Sequence, residues 1–159
     1  MVACQIFREE EMAEELYNLR YAGDRLGYRA LLSQWEQAGI CIFCPEHLDR
    51  EPVFQTQNWF AVENQWPYPN AALHLLIIAK RHITEEEQLT GTDFGEIVML
   101  HTQAKRIFPS LQNGGALILR FGKHSGATVR HLHFHLIAPV TDPETGRVYP
   151  GNHVNFPVG

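Results

Sequence analysis

Residues 131–135 read His-Leu-His-Phe-His. In an extended strand successive side chains point to opposite faces, so His131, His133 and His135 share one face while Leu132, Phe134 and Leu136 share the other. Packing accounts for the apolar face but not for three imidazoles in a row. Three readings fit: satisfied structural histidines, a metal site built on the strand, or nucleophilic chemistry with at most one of the three on a metal. The nucleophilic reading is favoured. A neutral imidazole nitrogen attacks phosphorus and forms a covalent phosphoramidate. Its other ring nitrogen must then keep the proton against an acceptor such as a backbone carbonyl. Neighbouring imidazoles and loop N–H groups stabilise the charge that builds on the phosphoryl oxygens. His133, flanked on both sides, is the preferred nucleophile.

The loop Gly122-Lys-His-Ser-Gly-Ala-Thr128 leads into this strand. Its two glycines let backbone N–H groups approach a ligand closely, and Lys123, Ser125 and Thr128 make it a phosphate cradle. A plain hairpin loop would have the same composition; adjacency to the imidazoles favours the cradle. Cys41-Ile-Phe-Cys44 has the spacing of a metal knuckle, although a Cys-x-x-Cys pair alone also fits redox chemistry or coincidence. The βαβ context of a redox pair is missing, so zinc is favoured, with His82 and the first histidine of the strand, His131, as further ligands.

The positioning elements are short. The strand readings are 53–57, 59–63, 72–79, 116–121 and 129–139. A helix over 93–108 starts from an Asp93/Glu96 capping box and buries Phe94, Ile97, Val98, His101, Ala104 and Phe108; a short turn starts from Thr84 with Glu87. Short strands, one good helix and short connections predict α+β with an antiparallel sheet. Residues 8–37 show two apolar stripes, Met12/Leu16/Leu19 and Tyr28/Leu31/Leu32/Trp35, broken at Gly23 and Gly27. The domain reading is a helical extension over 1–40 and a nucleotide-binding domain over 41–159.

The chain has 159 residues, 45% of them hydrophobic, which suits one folded core. A net charge of −5, with acids grouped in Glu9–Glu15 and Glu85–Glu87, excludes a broad nucleic-acid surface. It allows a small anion at a local patch of Arg120, Lys123 and His124. No signal peptide and no apolar run near ~20 residues is present. The odd number of cysteines, Cys4, Cys41 and Cys44, argues against a disulfide framework. A reducing cytoplasm is the expected setting.

Together these motifs resemble the histidine triad (HIT) superfamily, in particular its zinc-bearing microbial members. The signature stands here as His131-Leu-His133-Phe-His135-Leu-Ile137, preceded by Ser125-Gly-Ala-Thr-Val129. His74-Leu-Leu-Ile-Ile-Ala-Lys80-Arg-His82 is similar to the family's His-x-Leu-Val-Ile-Pro-Lys-x-His strand, and Cys41-Ile-Phe-Cys44 to its Cys-Ile-Phe-Cys opening. The resemblance implies an α+β fold that is usually a homodimer, binds a purine nucleotide, and attacks the α-phosphate of an adenosine phosphoramidate or dinucleoside polyphosphate through a nucleotidyl-histidine on His133. It implies that His135 and Thr128 contact the phosphate or leaving group. Asn64 and His74 would lie near the nucleoside, Arg120, Lys123, Ser125, Gly126 and Ala127 near the phosphate, and Cys41, Cys44, His82 and His131 on a structural zinc. Arg120 stands where relatives carry Asn or Gln, Ala127 where they carry Gln, and Ala79 where they carry Pro. These departures keep a second reading alive: a non-catalytic nucleotide sensor or scaffold with a structural zinc.

Overall fold

The computed structural model of the chain describes residues 15–23 and 27–158. Cys4, Met12 and most of the Glu9–Glu15 acids lie outside these residues. Five strands form one antiparallel sheet in the order β1-β2-β3-β5-β4. They are β1 (Phe54–Gln55), β2 (Trp59–Glu63), β3 (Ala71–Ala79), β4 (Ala116–Leu119) and β5 (His133–Pro139). The helices are α1 (Tyr28–Gln37) and α2 (Gly91–Ile107). The α+β class with an antiparallel sheet is therefore observed.

The two faces of the sheet are divided by strand alternation. Leu73, Leu75, Ile77 and Ala79 of β3 join Phe134, Leu136 and Ala138 of β5 under Ile97, Leu100 and Ala104 of α2. On the opposite face Phe60, Val62, Leu76 and Ile78 pack with Phe43 and Leu48. The register sets His133 opposite Ile78, His135 opposite Leu76 and Ile137 opposite His74. His74 thus falls on the same face as the two strand histidines, and the β3–β5 ladder at the sheet's centre carries the chemistry.

Several boundaries differ from the sequence expectation. The triad strand begins at His133 rather than 129, because residues 129–132 bond elsewhere: Val129 bridges Tyr17, the Arg130 amide donates to Leu16 at 2.9 Å, and the Leu132 amide donates to Ile83 at 2.7 Å. Helix α2 starts earlier, capped by Thr90 with Asp93 as its box partner. Its inward side is Asp93, Glu96, Ile97, Leu100 and Ala104, while Phe94 and Val98 are exposed. The short turn is capped by Glu85 with Gln88, not by Thr84 with Glu87. The break expected at Gly27 is present: at φ 74° this residue starts α1 from a left-handed backbone that a residue with a Cβ adopts only under strain. Among the described residues no helix is long and apolar enough to cross a membrane.

The Asp93 carboxylate fixes α2 to the sheet. It accepts from both Arg81 Nη atoms at 2.7 and 2.8 Å, from Trp59 Nε1 at 2.8 Å, and from the Thr90 amide and hydroxyl at 2.8 and 2.7 Å. The Arg81 guanidinium, with the Thr90 and Trp59 donors, holds this buried carboxyl well below the usual carboxylate range. Removing it strands several donors, so Asp93→Ala is expected to cost about 3 kcal/mol. At roughly 2–4 °C per kcal/mol that is a Tm loss of about 6–12 °C. Because the folded-state value is depressed, this contribution is present above the unfolded carboxylate value of about 3.9 and disappears as pH falls below it. Urea unfolding of wild type and Asp93→Ala should show the gap at pH 7 narrowing towards pH 2.5; a gap unchanged by pH would refute the assignment.

Candidate active site

The three strand histidines turn to three different sets of partners. His131 leaves the ladder and points at the knuckle: its Nδ1 lies 3.3 Å from Cys41 Sγ and 3.7 Å from Cys44 Sγ. Cys44 Sγ in turn lies 3.3 Å from His82 Nδ1. The four ligand atoms all fall within 4.8 Å of one another. A tetrahedral zinc, with Zn–S near 2.3 Å and Zn–N near 2.0–2.1 Å, places its S and N ligands about 3.5 Å apart. The observed separations are edges of such a polyhedron. His131 Nε2–H donates to the Ala79 carbonyl at 2.8 Å. That leaves Nδ1 as the ligand atom, as outer-sphere hydrogen bonds do for metal-bound imidazoles. Both cysteines are buried free thiols. Burial pushes the Cys41 thiol up, and burial with the adjacent Cys41 pushes Cys44 to about 12, so a bound cation is what would hold the pair as thiolates. The donor set fits a structural zinc, and the three-imidazole metal site is not formed.

His133 is turned the other way. Its Nδ1–H donates to the His131 carbonyl at 2.8 Å, which fixes the tautomer and leaves Nε2 with the lone pair. The ring lines a cavity of about 160 Å³, with the Phe43 ring edge-on at 4.9 Å. Burial lowers its pKa to about 3, with a further push from the Arg120 charge. His135 is likewise held well below the ordinary imidazole value, chiefly by burial. Both rings are neutral at neutral pH.

His135 belongs to a chain of nitrogens. Arg120 Nη2 lies 3.1 Å from His135 Nε2, His135 Nδ1 lies 2.8 Å from His74 Nε2, and the Tyr68 amide donates to His74 Nδ1 at 3.2 Å. A guanidinium and an amide are donors only, so both outer nitrogens accept. The two neutral imidazoles then place both their protons in the central contact, where two donors face each other. An acceptor oxygen between Arg120 and His135 removes the conflict. His135 Nε2 then carries a proton towards that oxygen, and Nδ1 accepts from His74.

Aromatic rings enclose the chain. Tyr68 stacks on His74 at 4.8 Å, and Phe156 stands edge-on to His135 at 5.2 Å with the Arg120 guanidinium 4.8 Å from its ring centroid. Tyr28 and Trp66 form another wall, their centroids 4.5 Å apart. Sequence reading singled out none of Tyr28, Trp66, Tyr68 and Phe156 as site residues. Trp66 and Tyr68 were hidden in a Pro-rich loop and Phe156 in an irregular tail, and no local pattern ties either to the triad strand.

Of the expected site residues, Asn64, Arg120, Gly126, Thr128, His133 and His135 line the triad cavity. His74 sits behind His135, with Asn64 Nδ2 3.2 Å from its ring nitrogens. The Thr128 hydroxyl donates to the Tyr21 carbonyl at 3.2 Å. Lys123, Ser125 and Ala127 line a different cleft. Ser125 Oγ is occupied within its own loop, donating to Gly122 and accepting from the Ala127 amide.

A zinc-type Cys/His cluster beside a neutral imidazole nitrogen, on the central ladder of an antiparallel sheet, defines a histidine triad protein. Residues 39–148 match the family described as "Scavenger mRNA decapping enzyme C-term binding", and the chain belongs to that family within the histidine triad superfamily. Among curated proteins it is 33% identical over 93 residues to an uncharacterized HIT-like protein of Chlamydia trachomatis serovar D, covering 55% of this chain and 78% of the relative. Among solved structures it is similar to a hypothetical histidine triad nucleotide-binding protein from Sulfolobus tokodaii strain7, with a TM-score of 0.54, 22% identity, and 74% and 78% of the two chains covered. A second structure, "Hit Like Protein", has a TM-score of 0.54 at 21% identity and covers 62% of this chain and 94% of its own. These structural likenesses establish the fold.

Proposed function

We propose that the protein is a nucleotide hydrolase or nucleotidyl transferase in which His133 Nε2 attacks the α-phosphorus of an adenosine phosphoramidate or a dinucleoside polyphosphate. The observation that carries this reading is the 2.8 Å bond from His133 Nδ1–H to the His131 carbonyl, which leaves Nε2 unprotonated in the cavity. In the first step the N–P bond forms and the bond from phosphorus to the leaving group breaks. The electron pair goes to the leaving atom, which takes the His135 Nε2 proton. In the second step water adds to phosphorus, the P–N pair returns to His133, and the water proton passes to His135. Arg120 and the backbone around Gly126 line the same cavity as His133, which supports a role in stabilising the charge that builds on the phosphoryl oxygens. Asn64, with the Tyr28 and Trp66 rings, supports purine binding at the other end of the cavity.

The experiment is an acid quench of the protein with adenosine 5′-phosphoramidate and with diadenosine triphosphate, followed by intact mass. A mass gain of one adenylyl group, mapped to His133, is expected; steady turnover with no adduct at any quench time counts against it. One feature favours the non-catalytic sensor: Arg120 and Phe156 already occupy the space beside His135 Nε2. That reading expects adenosine monophosphate to raise Tm while neither substrate is consumed.

Cys41, Cys44, His82 and His131 would hold a structural zinc, which supplies no step of the reaction; reduced thiols suit a cytoplasmic setting. We also propose a homodimer. Strand β4 is a sheet edge, with Leu117 exposed on it, and Phe94, Val98 and Met99 of α2 are exposed apolar side chains. A second copy would cover both. Light scattering should give twice the chain mass of 18.2 kDa; a monomer at micromolar concentration removes the proposal.

A further inference from the structure

A second cleft, of about 210 Å³, backs onto the triad cavity, with Arg120 and Tyr21 lining both. The loop from Gly122 to Thr128 forms the partition. Gly126 and Thr128 face the triad cavity; Lys123, Ser125 and Ala127 face the second cleft. The other wall comes from residues 15–21, which precede the family match at 39–148. This wall is fixed in place. The Asn18 amide donates to the Thr128 carbonyl at 2.7 Å, and Asn18 Nδ2 donates to the Lys123 carbonyl at 3.1 Å. The Leu16 and Tyr17 amides donate to the Glu36 carboxylate at 3.1 and 2.9 Å. Tyr17 is buried and its hydroxyl donates to the Ile40 carbonyl at 2.6 Å.

The cleft has the opposite sign to the rest of the chain. Among the described residues, Arg20, Arg120, Lys123 and Arg130 line it against one carboxylate, Glu15, in a chain of net charge −5. Arg130 is paired with Glu85 at 3.0 Å and Glu15 at 4.0 Å. Among the described residues the Arg20 guanidinium and the Lys123 ammonium have no carboxylate within ion-pair distance. A preformed, cationic cleft that shares an arginine with the reacting phosphate's cavity is suited to more phosphate.

We propose that this cleft is an oligophosphate subsite: the phosphate chain leaving from the α-phosphorus runs past Arg120 and ends between Arg20 and Lys123. The inference rests on the nucleotidyl-transfer reading for its place in the reaction. It specifies a leaving group of several phosphates rather than a small neutral amine. The bond broken is then the α–β phosphoanhydride, with the electron pair left on the β-phosphate oxygen.

Calorimetry with sodium tripolyphosphate tests the cleft without turnover. The zinc-loaded wild type should bind it, and Arg20→Glu should weaken that binding at least tenfold. Adenosine monophosphate, which fills only the triad cavity, should bind both proteins equally. Absence of tripolyphosphate binding to wild type, or an equal loss of both ligands in Arg20→Glu, overturns the proposal. With substrates, Arg20→Glu should lower kcat/KM for diadenosine tetraphosphate at least tenfold and leave adenosine phosphoramidate turnover unchanged; equal losses on the two substrates overturn it. If no substrate is turned over, the reaction assigned to His133 fails while the tripolyphosphate titration still decides the cleft.

Discussion

His133→Ala is expected to lower kcat for adenosine phosphoramidate by at least about 10⁴-fold, the scale seen when a covalent nucleophile is removed. That corresponds to about 5.5 kcal/mol of barrier at 1.36 kcal/mol per decade. The side chain to be removed is buried and makes one hydrogen bond, to the carbonyl of His131. Its loss leaves that carbonyl unpaired and opens a small space beside Phe43. These changes are expected to cost about 1–2 kcal/mol of stability, far less than the catalytic loss. Nucleotide affinity should stay within a few-fold of wild type, because Asn64 and the aromatic walls are untouched. The intact-mass assay should show no adenylyl adduct on the variant. Turnover within tenfold of wild type would remove His133 from the chemistry, whatever the fate of the fold.

Legibility in the sequence followed the range of the interactions involved. The His-x-His-x-His alternation is a period-2 signal on one strand, and it placed His133 and His135 on one face correctly because both lie within β5. The Cys41-x-x-Cys44 spacing likewise reads locally, and His82 and His131 were found as partners by residue type. The bounds of the triad strand did not read locally. Residues 129–132 look extended and apolar, but Tyr17, Leu16 and Ile83 take their backbone groups. The start and inward side of α2 did not read locally: the sequence pattern makes Asp93 the N-cap, whereas Arg81 and Trp59 reach it from other elements and hold it on the buried side, one turn inside a helix capped by Thr90. Phe156 over His135 and residues 15–21 beside the 122–128 loop are contacts across more than 20 and 100 residues respectively. No periodicity or spacing encodes contacts of that kind. Arg120 was legible as a departure from the resembled family, but its position between two cavities was not.

Zinc removal is the second change with a large expected effect. The cluster joins the knuckle at 41–44, the segment that follows β3 through His82, and the entry to β5 through His131. Ligand binding to the folded state alone stabilises by about 4.1 kcal/mol when free zinc is 1,000-fold above Kd. At roughly 2–4 °C per kcal/mol, chelation or Cys41→Ser should lower Tm by about 8–16 °C. The wild type should carry one zinc per chain by metal analysis, and His133→Ala should carry the same. Because protons compete for the cysteine thiolates and for the histidine nitrogens, zinc affinity should fall as pH is lowered. The effect should also reach the chemistry: His131 offers its carbonyl to His133 Nδ1 and its ring to the cluster, so a cluster without metal loosens the residue that sets the nucleophile's tautomer. Cys41→Ser should therefore lose turnover as well as stability. An apo protein with wild-type Tm and wild-type turnover would show that Cys41, Cys44, His82 and His131 are neighbours without being ligands.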